Sequence, residues 1–253
     1  MRGWRSGPTP AIWRGNLKLL HQAKAKLHKV KHFTALDWRE APAFIAKLRE
    51  RDSVGASALQ FAILTTARSG EVRGATWDEI DMEAAEWNIP GRRMKAGKPH
   101  RVPLSQPALE VLRSMELLRT GTGPVFPGQL LKRPMQAMAL TRPLHRAGRS
   151  DLTVHGFRST FRDWAAEATG HPNHVVEQAL AHNIGSAVEA AYRRGDLFTK
   201  RVLLMNDWAS YLEQPAAKVV RLPRRASRSR PDGLTAPRPS GRTSKPRRAS
   251  GAA

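Results

Sequence analysis

Six side chains, read in order along this sequence, could together attack a phosphodiester. They are Arg68 in TTARSGEVRG, Lys95 in RRMKAGKPHRVPLS, His155 and Arg158 in VHGFRSTFRDWAAE, and His182 and Tyr192 in LAHNIGSAVEAAYRRGD. The chain has only two tyrosines, and Tyr192 is flanked by Arg193 and Arg194. Cleavage by a protein nucleophile needs three things: a group aligned with phosphorus, fixed cations against the charge on the pentavalent phosphate, and a proton for the leaving oxygen. Without a metal, Arg, Lys and His must supply the cations, and one candidate for each demand is present. A phenol, with an ordinary pKa of about 10, becomes a useful nucleophile only beside cations or a base.

Each residue also has a plainer reading. Arg68 and Glu71 are three apart, which suits an ordinary ion pair on a helix as well as a guanidinium fork whose orientation a carboxylate fixes. His155 and Arg158 share a helical face, with Thr153 as a plausible N-cap. Phe157, Phe161, Trp164 and Ala165 would be the buried stripe of that helix, leaving the His/Arg face to border a cleft. Lys95 lies near the start of a turn between two strands, where a flexible tip could carry a lysine into a groove, and Arg92, Arg93 and Lys98 compete with it for that task. His182 follows an Ala/Leu-rich helix, where it could bind a phosphate oxygen or cap the helix end as a cation.

The elements that must position these groups are mostly helical. Apolar periodicity predicts helices from about Thr34 (Leu36, Phe44, Ile45, Leu48), over 54–66, as a short turn at 71–75, and over 105–119, 134–147, 155–168, 172–181, 186–194 and 198–213. Residues 75–104 change character: ATWDEID, EWNIP and HRVPLS read as three short antiparallel strands, with a turn at Ala96-Gly97-Lys98. The expected fold class is therefore mainly α with a small antiparallel three-stranded β-sheet (α+β). A chain of 253 residues without cysteine builds its core without disulfides or Cys-type zinc sites. No apolar run reaches the length of a membrane span, and no h-region follows the basic N-terminus. A soluble intracellular protein is the expectation.

The net charge of +22 sits at the ends. Residues 1–32 carry eight Lys/Arg and no acid, and residues 215–253 carry eleven against the single Asp232. The stretch 33–214 keeps 24 basic and 20 acidic residues. The ends thus read as a basic linker (1–32) and a disordered Arg/Ser/Pro tail (215–253), both suited to salt-dependent contact with a polyanion.

The order Arg, Lys, His-x-x-Arg, His, Tyr, together with its flanking residues, resembles the catalytic domain of tyrosine recombinases, specifically prophage-type integrases, over about 34–212. The resemblance implies that Arg68 and Arg158 clamp the scissile phosphate, Lys95 protonates the 5′-oxygen, His155 assists proton transfer, His182 hydrogen-bonds the phosphate, and Glu71 supports the site from behind. Tyr192 would form a 3′-phosphotyrosyl link, so no cofactor and no metal are implied. The implied partners are double-stranded DNA at attachment sites, three further copies in a homotetramer, and an accessory DNA-bending protein. The implied setting is the bacterial cytoplasm, at the nucleoid and away from membranes. The segment near 198–213 often docks on a neighbour in that family. Full-length relatives also carry arm-binding and core-binding domains before the catalytic one, and here IWRGNLKLL resembles only the end of the core-binding region. The expectation is an N-terminally truncated integrase holding half of a DNA clamp.

Three other readings compete. A catalytically silent remnant would bind DNA weakly and nonspecifically. A type IB topoisomerase-like enzyme would share the chemistry but relax supercoils without strand exchange. A zinc enzyme using His171, His174 and His182 is disfavoured, because those residues straddle a predicted helix and no HExxH pattern exists.

Overall fold

A helix that is apolar on every side must be buried on every side. VGASALQFAILT is such a sequence, and it forms the central helix of the fold. The structure is a computed structural model describing residues 34–182 and 195–215. Its elements run α1 (Ala41–Arg49), α2 (Val54–Thr65), α3 (Ser69–Arg73), β1 (Ile80–Asp81), β2 (Glu86–Ile89), β3 (His100–Pro103), α4 (Gln106–Glu116), α5 (Ala137–Arg146), α6 (Gly156–Ala168), α7 (Asn173–Ala179) and α8 (Phe198–Leu212). The Ser53 hydroxyl caps α2 by accepting from the Ala56 N–H at 3.2 Å. Around α2 pack α1, α3, α4, α5 and α8, and Leu59, Phe61, Ile63 and Leu64 are almost fully buried.

The three strands form one antiparallel sheet in the order β1-β2-β3, with Trp87 opposite Val102 and Ile89 opposite His100. Alternation puts Trp87 and Ile89 inward, and the Trp87 ring lies 5.3 Å from Phe61 of α2. The mainly helical class with a small sheet is thus as expected. Helix α6 starts one residue later than the expected 155, with His155 at the N-cap position, and the Thr153 hydroxyl accepts from the Gly156 N–H at 3.0 Å. Its expected stripe of Phe157, Phe161, Trp164 and Ala165 is buried.

Helix α8 packs on the chain's own core. Trp208 is fully buried, its ring lies 4.9 Å from Trp164 in a tilted arrangement, and it donates its indole N–H to the Ile63 carbonyl at 3.0 Å. At the start of α8, Arg201 has a fully buried side chain. It donates to the Asp196 carboxylate and the Asp196 carbonyl, both at 2.8 Å, and to the Arg101 carbonyl on β3. Asp196 also pairs with Arg101 at 3.2 Å. Against the opposing effect of partial burial, Arg201 and Arg101 hold the Asp196 carboxyl below the usual carboxylate range. The predicted helix 186–194, the basic linker 1–32 and nearly all of the basic tail 215–253 lie outside the described residues. Among the described residues no helix is long and apolar enough to cross a membrane.

Candidate active site

The chain leaves α2 through Thr66, whose φ of 54° is left-handed, and reaches Arg68 in extended backbone at the entrance to α3. Glu71, at the third position of α3, is 5% exposed. Its carboxylate accepts the Arg68 backbone N–H at 2.8 Å and the Arg68 guanidinium at 2.8 Å. One carboxylate therefore caps the helix and holds the arginine through the i,i+3 ion pair that the spacing allowed. The same guanidinium donates to the Ala181 carbonyl at 3.2 Å.

Arg158 is more deeply buried than a cleft-bordering face suggested, at 5% exposure. Its guanidinium donates to the Thr66 carbonyl, to the Leu180 carbonyl at 2.5 Å, and to His182 Nε2 at 3.1 Å. Thr66 follows α2 and Leu180 caps α7, so both acceptors are carbonyls left over at helix C-termini, where the helix dipole favours a cation. Thr66 and Ala181 (φ 48°) take the left-handed conformation without being glycine, at a cost of about 1 kcal/mol each. That turn presents their carbonyls to Arg158 and Arg68. Burial, and then the like charge of Arg68, push the Arg158 pKa down to about 10, which leaves it a cation at neutral pH. The buried Arg158 Nε–H has no acceptor among the described residues, and an N–H in that position calls for an acceptor from elsewhere.

His182 sits just past α7, as expected. Its Nδ1 lies 2.7 Å from Glu177, whose other oxygen pairs with Arg162 Nε at 2.8 Å. Arginine only donates, so Nε2 of His182 accepts from Arg158 and Nδ1 carries the proton that it donates to Glu177. His155 is on the surface at the entrance to α6. Partial burial, followed by the charges of Arg158, Arg68, His182 and Lys95, pushes its pKa down. His155 thus lies in the field of both arginines, His182 and Lys95.

Lys95 is exposed in the turn between β2 and β3, where the sequence placed it. Residues 91–93 form a 3-10 turn, and the Gly97 N–H bonds back to the Met94 carbonyl at 3.0 Å. Gly97 takes φ 68°, which a glycine adopts without strain. Of the competing cations, Arg93 is ion-paired inward with Glu79, whereas Arg92 and Lys98 are exposed.

The structure therefore brings together Arg68, Glu71, Arg158 and His182 directly, with His155 and Lys95 within their electrostatic reach. Tyr192 lies outside the described residues. Glu177 and Arg162 were not anticipated: their bonds join residues five and fifteen apart, and no local motif marks them. His171 pairs with Asp207 at 2.7 Å and His182 with Glu177, and among the described residues no three His, Cys, Asp or Glu group as a metal site.

This arrangement can be set beside known proteins. The model of the phage integrase family matches residues 35–196. The prophage integrase IntA of Escherichia coli (strain K12) is 39% identical over 153 residues, covering 60% of this chain and 37% of that protein. The integrase of Enterobacteria phage P4 is 30% identical over 213 residues, covering 77% of this chain and 48% of that one. The chain thus spans less than half the length of these two relatives. Among solved structures, the fold resembles a lambda integrase dimer bound to a COC′ core site, with TM-score 0.50 and 18% identity over 68% of this chain and 64% of that one. It also resembles the integrase from mycobacterium phage Brujita, with TM-score 0.52 and 16% identity over 72% and 61% of the two chains. Most of the described chain, including every residue of the site, falls inside the family match, and the chain belongs to the phage integrase family.

Proposed function

We propose that this chain cleaves and rejoins double-stranded DNA as a site-specific recombinase, with Tyr192 as nucleophile. The observation that carries this reading is the pair of guanidiniums of Arg68 and Arg158, fixed by Glu71 and by helix-end carbonyls, with His182 bonded to Arg158 and His155 in the field of both. A buried cation with one N–H still lacking an acceptor among the described residues suits a phosphate oxygen.

In this reading Arg68 and Arg158 clamp the two nonbridging oxygens of the scissile phosphate. His182, held beside Arg158, hydrogen-bonds the phosphate. The Tyr192 oxygen bonds to phosphorus as the bond from phosphorus to the 5′-oxygen breaks. The phenolic proton passes to His155, which its depressed pKa keeps neutral at pH 7. The departing 5′-oxygen takes a proton from Lys95. The 3′-phosphotyrosyl ester conserves the bond energy, and attack by a different 5′-hydroxyl reverses the steps and joins new partners. The basic ends, 1–32 and 215–253, add salt-dependent grip on the duplex. Four copies would act on a pair of sites in the bacterial cytoplasm at the nucleoid, aided by a DNA-bending protein.

Covalent trapping on a nicked suicide duplex tests the reading. Wild-type chain should give a DNA adduct, unaffected by EDTA, that Tyr192→Phe abolishes. An adduct with Tyr192→Phe removes the nucleophile assignment. Salt-steep binding with no adduct from wild-type chain favours the silent DNA-binding reading instead.

A further inference from the structure

Arg93 precedes Lys95 by two residues, yet it does not face solvent. Its side chain is 18% exposed, and its guanidinium donates to the Glu79 carboxylate and to the Glu71 backbone carbonyl. Glu79, itself buried, also accepts the Trp87 indole N–H at 3.0 Å. Trp87 belongs to β2, and Glu71 is the residue that holds Arg68. One guanidinium thus ties the loop that bears Lys95 both to the sheet and to the helix that aims Arg68. Space for it comes from Gly74, where a Cβ would lie 2.9 Å from the guanidinium NH2. Between the tie and the lysine stands Met94, 7% exposed, with its N–H bonded to the Gly91 carbonyl at 3.0 Å. Two backbone steps from a fixed point, Lys95 has little freedom beyond its own side chain. An isolated exposed lysine would have to give up loop entropy as well to reach one oxygen.

We propose that Arg93 is a positioning residue for Lys95, setting the reach of its ammonium to the 5′-oxygen. This rests on the reading of Lys95 as the acid. In the step concerned, the bond from Tyr192 oxygen to phosphorus forms, the bond from phosphorus to the 5′-oxygen breaks, the phenolic proton goes to His155, and the 5′-oxygen takes the Lys95 proton. If sulfur replaces the bridging 5′-oxygen, a thiolate leaves and needs no proton. Defects in proton delivery should then vanish, while defects in phosphate clamping persist.

The test measures adduct formation by the full chain on nicked duplexes carrying oxygen or sulfur at the bridging 5′ position. Arg93→Lys keeps a charge for Glu79 but loses the fork that spans Glu79 and Glu71. The pair Arg93→Gln with Glu79→Gln removes both charges together, and far-UV CD and thermal unfolding check the fold of each. Arg93 variants should cleave the oxygen duplex roughly 10- to 100-fold more slowly than wild type, and the sulfur duplex within about 3-fold of it, as Lys95→Ala does. Equal losses on both duplexes, or none on oxygen, overturn the proposal. So does unfolding of both variants, which makes Arg93 a determinant of the fold. Lys95→Ala separates the two possible failures. If sulfur does not restore it, the acid assignment is wrong and the positioning role falls with it. If sulfur restores Lys95→Ala but not the Arg93 variants, the positioning role alone fails.

Discussion

Glu71 joins the fold to the site, and its removal can be costed. Its carboxylate is 5% exposed and accepts two bonds of 2.8 Å, one from the Arg68 backbone N–H and one from the Arg68 guanidinium. A hydrogen bond to a charged group contributes about 1.5–3 kcal/mol. The guanidinium is 23% exposed, so solvent screening puts its bond at the low end of that range. Glu71→Ala should therefore cost about 3 kcal/mol, and Glu71→Gln, which keeps one neutral acceptor, about 1 kcal/mol. Urea unfolding at pH 7 measures both, provided the m-values agree. A double-mutant cycle with Arg68→Ala should return a coupling of about 1–2 kcal/mol, since the partners touch. A loss below about 0.5 kcal/mol for Glu71→Ala, or no coupling, would falsify the argument that this carboxylate holds the arginine.

Three further outcomes follow from the same geometry. Burial, followed by the charge of Arg201, pushes His100 down to about 4 from 6.5, so it is neutral in the fold but protonates in the unfolded chain as pH falls. Its contribution is complete above pH 6.5 and is lost toward pH 4, by at most about 3 kcal/mol; urea midpoints taken from pH 7 to 4.5 should fall less steeply in His100→Gln. Ala181→Gly relieves a left-handed alanine and should leave stability equal or higher by up to about 1 kcal/mol, against the extra freedom of the unfolded glycine; a lowered thermal midpoint contradicts this. Trp208→Phe leaves the Ile63 carbonyl without its indole donor and opens space in the aromatic cluster, so it should cost about 2–4 kcal/mol by chemical denaturation.

Local pattern made much of this structure readable in advance. The apolar 54–66 run, the alternation in EWNIP and the stripe on α6 each announce an element, because burial follows periodicity. Arg68 with Glu71 and His155 with Arg158 were legible for the same reason, being helical neighbours. What was not legible depends on where separate segments meet. The burial of Arg158 could not be foreseen, because its acceptors Thr66 and Leu180 are main-chain atoms of two other segments. The pairing of Glu177 with Arg162 is likewise a product of packing α6 against α7. Arg93 looked like one more solvated cation of the turn, and only the folded sheet shows Glu79 waiting for it.

The knot of Arg201, Asp196 and Arg101 bears on Tyr192. Tyr192 is four residues from Asp196 and ten from His182, and both of those residues are bonded to the rest of the domain. Covalent geometry alone keeps its Cα within roughly 14 Å of the nearer anchor. In the proposed reaction the phenol would act as a tethered reagent, its reach bounded by the covalent path from Asp196. Asp196→Ala removes the bonds that hold this anchor to Arg201 and Arg101 while leaving in place every group proposed to meet the phosphate.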